Sequence, residues 1–316
     1  MGNEKNELYE RRVGNVLDQR YRLDSLIGSG GMAVVYRATD LKINNQVVAI
    51  KMLKDDTACD EVVVKRFINE CKAETMLKHN NIVSVHEVSV KGDLKYMVME
   101  YVEGMTLKKY LEERNSPLEL HEVLGYTVKV LRALHEAHEK NIIHRDIKPQ
   151  NVMVLGDGKI KVMDFGIAKL PNTETVTVTD KAVGTVYYMS PEQASGEELD
   201  PRSDIYSLGA MMYELATGEM PFVGDSPVSI LMKHIKEPVV PPRIVNPKIP
   251  VGLEQIIMCA MSKKPQDRFE SVDEMILYVK QLQDDPTIKF ETLPSNTAWQ
   301  NFKAKLKRMF SKEKKK

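Results

Sequence analysis

Short apolar runs broken by turn residues dominate the first hundred positions, and a repeat of three to four residues dominates the rest. Residues 21–55 therefore read as strands. Tyr21-Arg22-Leu23 leads into Leu26-Ile27, a glycine cluster interrupts, Ala33-Val34-Val35-Tyr36-Arg37-Ala38 resumes, and Asn44-Asn45 turns the chain before Val47-Val48-Ala49-Ile50-Lys51. The spacing predicts a helix over 60–78, with Val64, Phe67, Ile68, Cys71, Met76 and Leu77 on its apolar face. Two more strands are expected at 82–90 and 95–102. After Gly104 helices are predicted at 106–113, 120–140, 203–217, 227–236, 253–262 and 271–283. A strand pair at 151–155 and 159–163 should turn at Gly156-Asp157-Gly158, and 167–190 reads as a long polar loop rich in Thr. From Asp284 the chain reads as a linker, followed by a basic amphipathic helix at 297–310.

A mainly antiparallel sheet with one helix, followed by a mainly helical region, is an α+β arrangement. The length of 316 residues suits two lobes with a cleft. No run of eighteen apolar residues occurs, and the polar start has no signal core. Gly2 would suit myristoylation, but Asn6 stands where Ser or Thr is needed. Cys59, Cys71 and Cys259 are scattered without metal-ligand spacing, which fits a reducing cytoplasm. Net charge is zero, yet 303–316 holds eight basic residues and one acid, leaving 37 basic against 44 acidic groups elsewhere. A mildly acidic globule with a basic tail argues against nucleic acid as a partner.

The chemistry concentrates in four places. Ile27-Gly28-Ser29-Gly30-Gly31-Met32-Ala33-Val34-Val35 sits between two strands, where glycines let backbone N–H groups approach phosphate oxygens. No helix follows, so a dinucleotide fold is excluded, and no Gly-Lys-Ser/Thr exists to make a Walker A loop. Lys51 ends a strand that reads as buried, and a buried ammonium needs an anion. Glu70 and Glu74 on the next helix are both placed to supply it. His144-Arg145-Asp146-Ile147-Lys148-Pro149-Gln150-Asn151 is followed thirteen residues later by Asp164-Phe165-Gly166. Asp146 can take a hydroxyl proton, while Asn151 and Asp164 offer oxygens to divalent ions bridging a nucleotide's phosphates.

These blocks, in this order over about residues 18–282 and closing in Ser190-Pro191-Glu192, resemble the eukaryotic-type protein kinases. Gly30-Gly31-Met32-Ala33 and Gly184-Thr185-Val186-Tyr187-Tyr188-Met189-Ser190-Pro191-Glu192-Gln193 are most similar to bacterial Ser/Thr kinases of the membrane-anchored PASTA type. The resemblance implies a bilobal fold: an arm at 1–17, a sheet lobe at 18–103, a helical lobe at 104–283 and a juxtamembrane-like segment at 284–316. It implies ATP with Mg2+ or Mn2+ as cofactors and transfer of the γ-phosphate to protein Ser/Thr. In family register Lys51 holds the α/β phosphates and pairs with Glu70. Asp146 is the base, Lys148 neutralises the γ-phosphate, and Asn151 and Asp164 bind metal. Met99 is the gatekeeper, Glu100 and Val102 meet adenine through main-chain atoms, and Val35, Ala49 and Met153 flank the base. Thr185 bonds near Asp146 and Lys148, while Asp204 and an Arg268–Glu192 pair anchor the catalytic loop. Two departures are small: Ala33 replaces the third glycine, and Ser190 stands where many kinases have Ala.

Control is expected in the loop. Thr173, Thr175, Thr177 and Thr179 alternate there, and the register favours Thr177 and Thr179 as autophosphorylation sites, with Arg145 receiving the phosphate. Trp299, Phe302, Leu306, Met309 and Phe310 share one face flanked by lysines, as suits contact with an anionic membrane at its inner surface. The resemblance places a transmembrane helix and a sensor region after this position, and suggests a homodimer for trans-autophosphorylation in cell-wall and growth signalling. Competing readings are a pseudokinase scaffold, disfavoured by the intact set Lys51, Asp146, Asn151 and Asp164, and a small-molecule phosphotransferase, disfavoured by the long Thr-bearing loop.

Overall fold

The computed structural model of this chain describes residues 7–90, 92, 94–165 and 184–293. It forms two compact units, residues 1–105 with 153–170 and residues 106–152 with 171–316. The segment 153–170 joins the first unit because its strand β9 (Ile160–Val162) is tied there. Val162 N–H donates to the Asn81 carbonyl at 2.8 Å, and Val83 N–H donates to the Val162 carbonyl at 3.0 Å.

The first unit is built on an antiparallel sheet of β1 (Val16–Leu17), β2 (Tyr21–Ser29), β3 (Ala33–Asp40), β4 (Gln46–Leu53), β5 (Val85–Ser89) and β6 (Tyr96–Glu100). Its order is β1-β2-β3-β4-β6-β5, which puts β4 in the interior with six consecutive buried residues. Side chains alternate across the strand, so each face receives its own core. Val48, Ile50 and Met52 join Tyr36, Val34, Tyr96 and Val98 on one side, while Ala49 and Leu53 join Met97 and Met99 on the other. Phe67 and Cys71 of the helix Glu61–Met76 cover the second face. Asp60 caps that helix by accepting the N–H groups of Val62 and Val63.

The helix face differs from the expected one. Glu70, Ala73 and Glu74 are buried beside Phe67 and Cys71, whereas Met76 is 55% exposed. Residues 67, 70, 71 and 74 make one helical stripe, and two of its members are carboxylates, one bonded to an ammonium and the other to a main-chain N–H. The arm at 1–17 is likewise less polar than it reads. Tyr9 and Leu17 are buried in the first core, and Tyr36 Oη donates to the Tyr9 carbonyl at 2.8 Å. Arg12 pairs with Asp55 and fixes the arm beside the short helix Asp55–Ala58.

The second unit is helical. Its axis is Arg202–Thr217, in which every residue from Ser203 to Thr217 is buried, the carboxylates Asp204 and Glu214 included. Gly209 permits the packing of Val251–Ala260: a Cβ there would stand 2.8 Å from Ala260 Cβ and 2.9 Å from Met261 Cγ. Leu120–His138 and Val272–Asp284 complete the core, and Ser271 caps the latter through the Glu274 N–H. The predicted helices fall within one or two residues of these bounds. Among the described residues no helix is long and apolar enough to cross a membrane. The three cysteines are free, Cys71 and Cys259 buried and Cys59 exposed.

Candidate active site

Within the first unit, the glycine segment is the hairpin from β2 to β3. Gly28 pairs with Val35 and Ser29 with Val34, and Gly30 N–H donates to the Ala33 carbonyl at 2.6 Å. Gly31 has no heavy atom within 4 Å of an added Cβ, while Ile27 is 48% exposed. The tip is tied down through Met32, whose carbonyl accepts from Lys54 N–H at 2.9 Å and Thr57 Oγ1 at 3.1 Å. That anchor lies 22 and 25 residues downstream and left no local mark in the sequence.

Lys51 projects from the β4 face toward the helix Glu61–Met76. Its Nζ bonds Glu70 Oε1 and reaches Asp164 Oδ1 at 2.7 Å. The alternative left open by spacing is thus divided between the two carboxylates. Glu70 takes the lysine, and Glu74 Oε1 accepts the Phe165 N–H at 3.1 Å. Oxygens of Glu70, Glu74 and Asp164 lie within 4.8 Å of one another. Burial works against the Lys51 charge, but Asp164, Glu70 and Glu74 outweigh it and hold the ammonium protonated well above the usual lysine range. Burial pushes Glu74 up to about 8, Lys51 opposing and the neighbouring carboxylates adding to the rise.

The residues expected around adenine are Val35, Ala49, Met99 and Met153. Ala49 and Met99 are opposite each other in the sheet and share a cluster with Val35 and Met32. Met153 is half-buried in β8 (Val152–Leu155). Glu100 ends β6, its side chain accepts from Lys161 Nζ at 2.7 Å and its N–H donates to the Ser84 carbonyl at 2.9 Å, and Val102 follows in an irregular, half-buried segment.

Within the second unit, His144–Asn151 is a loop held from below by Asp204. This fully buried carboxylate accepts the N–H groups of His144 and Arg145, both at 2.8 Å, and bonds His138 Nε2 at 2.8 Å. Burial would raise its pKa, but these donors and the two histidines hold it below the usual carboxylate range. Arg145 adopts φ +66°, a left-handed conformation costly for a side-chain-bearing residue, and its carbonyl is pinned by Gln193 Nε2 at 2.8 Å.

Asp146 sits at the loop's turn, 8% exposed. Its Oδ2 bonds Lys148 Nζ at 2.8 Å and accepts from Asn151 Nδ2 at 3.0 Å. Asn151 Nδ2 also donates to the Asp146 carbonyl at 2.8 Å, so the amide nitrogen is committed and the amide oxygen is the atom left for a cation. Lys148 Nζ donates to Thr185 Oγ1 at 2.7 Å. Downstream, Ser190 and Gln193 form a reciprocal capping box on Pro191–Ser195. Glu192 meets Arg268 through two bonds, at 2.6 and 2.7 Å. His138, Gln193, Tyr188 and Glu214 escaped the sequence reading. The Ser-Pro-Glu-Gln box was legible for Gln193, whereas the Tyr188 Oη to Glu214 Oε2 bond at 2.6 Å spans 26 residues without a local pattern.

Gly166, Thr173, Thr175, Thr177, Thr179 and the amphipathic segment 297–310 lie outside the described residues. Each donor by itself is of a kind that suits a hard divalent ion: in the first unit a carboxylate at Asp164, whose side chain is 37% exposed, and in the second an amide oxygen at Asn151.

Residues 21–282 match the sequence family described as protein kinase domain. The chain is 45% identical over 264 residues to a probable serine/threonine-protein kinase of Clostridium acetobutylicum, covering 84% of this chain and 40% of that protein. It is 42% identical over 268 residues to the serine/threonine-protein kinase PrkC of Bacillus subtilis, covering 85% and 41%. The chain thus spans about two fifths of the length of these curated relatives. Among solved structures, the PknI kinase domain of Mycobacterium tuberculosis is similar with a TM-score of 0.67 and 27% identity, covering 85% of this chain and 98% of that one.

Proposed function

The chain belongs to the protein kinase domain family, and we propose that it is an ATP-dependent serine/threonine protein kinase. Protein kinases of this family use ATP with Mg2+ or Mn2+. The observation that carries the reading is the buried network of Asp146, Lys148, Asn151 and Thr185. The Lys148 ammonium and the Asn151 amide hold the Asp146 carboxylate in one orientation, and a positioned carboxylate is what a proton acceptor needs.

The roles follow from these partners. Asp146 orients the substrate hydroxyl and accepts its proton. Lys148, already beside Asp146, meets the negative charge of the γ-phosphate as it moves. Lys51 arrives charged and pre-aimed by Glu70, so it can bind α- and β-phosphate oxygens without reorganising. Asp164 and the Asn151 amide oxygen would hold the divalent ion, which when bound neutralises phosphate charge. The glycine hairpin brings main chain close to the phosphates, with Gly31, where an added Cβ would meet nothing within 4 Å, at its open tip, and the main chain of Glu100 and Val102 reads adenine between Val35, Ala49 and Met153.

Regulation is assigned to the threonines at 173, 175, 177 and 179, with 177 and 179 foremost, phosphorylated in trans within a homodimer. Arg145 Nε is buried without a hydrogen-bond partner among the described residues, which supports a guanidinium kept for an incoming phosphate. The basic segment 297–310 would rest on an anionic membrane at the inner face of the cell, and family resemblance favours cell-wall and growth signalling.

The test is incubation of the chain with radiolabelled ATP and Mn2+, followed by phosphosite mapping, with Asp146→Asn as control. Loss of the base should slow labelling by about 10²–10⁴. Equal labelling of the control would sink the assignment.

A further inference from the structure

The helix Glu61–Met76 points two carboxylates, one turn apart, at the same end of the first unit. Glu70 is committed to Lys51. Glu74 has a different partner, the main-chain N–H of Phe165 at 3.1 Å. Both ends of that bond are buried, Glu74 at 5% and Phe165 at 1% exposure. An oxygen-bearing side chain at such depth is kept where it satisfies a donor that has no water.

Asp164, the residue just before Phe165, has φ +57°. An aspartate persists in that left-handed region only when its neighbours over-determine it. On one side the chain is held by β9, through the Val162 bonds to Asn81 and Val83. On the other side, the next main-chain donor is the one that Glu74 accepts. The Asp164 carboxylate between these two fixed points reaches Lys51 Nζ at 2.7 Å.

We propose that Glu74 is a positioning residue: by holding the Phe165 N–H it fixes the Asp164–Phe165 peptide and so aims the Asp164 carboxylate. Its consequence for turnover rests on the kinase reading, because that reading gives Asp164 the divalent ion. The positioning itself does not. The position needs an acceptor rather than a charge. Glutamine retains a carbonyl oxygen at the same reach and preserves the bond, whereas leucine fills similar space and removes that oxygen.

The experiment compares wild type, Glu74→Gln and Glu74→Leu as full chains, reading Mn2+ dependence of phosphoryl transfer, hydrogen exchange at the Phe165 amide, and melting temperature. Removing a residue that orients a ligand costs about 10–100-fold in metal affinity, so half-saturating Mn2+ should rise about tenfold in Glu74→Leu and stay within about twofold in Glu74→Gln. Exchange at Phe165 should accelerate in the leucine variant alone. Should leucine prevent folding, Glu74→Met, similar in length and without an oxygen, carries the same comparison. The proposal is overturned if Glu74→Leu matches wild type in Mn2+ requirement and exchange, or if Glu74→Gln fails as fully as Glu74→Leu. A wild-type chain that transfers no phosphate would instead overturn the kinase reading, while Phe165 exchange would still decide the positioning.

Discussion

Replacing Arg268 by methionine should be among the most damaging single changes outside the loop His144–Asn151. The side chain is fully buried, and all five of its N–H donors are used. Nε donates to the Ser262 carbonyl at 2.8 Å; Nη1 to Glu192 Oε1 and the Arg202 carbonyl at 2.6 and 2.9 Å; Nη2 to Glu192 Oε2 and the Lys263 carbonyl at 2.7 and 3.1 Å. Methionine fills much of the volume but leaves the Glu192 carboxylate buried with Ser203 Oγ as its remaining side-chain donor. Breaking a buried pair this way costs about 3–5 kcal/mol. At roughly 2–4 °C per kcal/mol for a unit of this size, melting should fall by about 10 °C.

The charge left behind, more than the lost bond, sets that cost. Removing both partners in Arg268→Met/Glu192→Leu should therefore recover a large part of the stability, while Arg268→Lys, with three donors for five acceptors, should fall between. Urea and thermal unfolding of the four proteins measure this. A loss under about 1 kcal/mol in Arg268→Met, or a double variant less stable than the single, would refute the reasoning.

Three further outcomes follow from the same geometry. His234 is fully buried, its Nδ1 on Tyr206 Oη at 2.9 Å, and burial, then the Lys263 charge, lowers its pKa to about 3. Because the unfolded ring takes a proton near its ordinary value while the folded one does not, stability is present above that value and is lost as pH falls; the loss between pH 7 and 5 should be about 2 kcal/mol and should shrink in His234→Asn, as pH-dependent urea melts would show. Tyr9→Ala should cost about 3–5 kcal/mol, as for other large buried aromatics, although the residue lies in a polar stretch; an unchanged melting curve would remove the arm from the core. Lys51→Met should lower transfer by about 10²–10³, because it removes one fixed charge from the phosphates, and should also lower the melting temperature, because Glu70 is left buried without its ammonium; rates taken well below each melting transition separate the two effects.

The strands and long helices were legible because their apolar periods run uninterrupted: Val47 to Lys51 for β4, and Val123, Leu124, Val128, Leu131 and Leu134 for Leu120–His138. The arm was not, since Tyr9 is one aromatic in a polar run and its burial depends on a Tyr36 contact 27 residues away. Glu70 and Glu74 could not be told apart by period because both lie on one helical stripe, and only Asp164 and Phe165 arriving from far along the chain divide their roles. The loop His144–Asn151 was readable as a block, but its support was not: Asp204 acts from about 60 residues downstream through two main-chain N–H groups.

The claim that most depends on these arrangements is transfer of the γ-phosphate to a Ser or Thr hydroxyl. Phosphoamino-acid analysis of protein labelled with γ-radiolabelled ATP and Mn2+ tests it directly, with Asp146→Asn and Asp164→Asn alongside. The account predicts phosphothreonine and phosphoserine from wild type and almost no label from either variant. Label on tyrosine, or label undiminished in both variants, would contradict it.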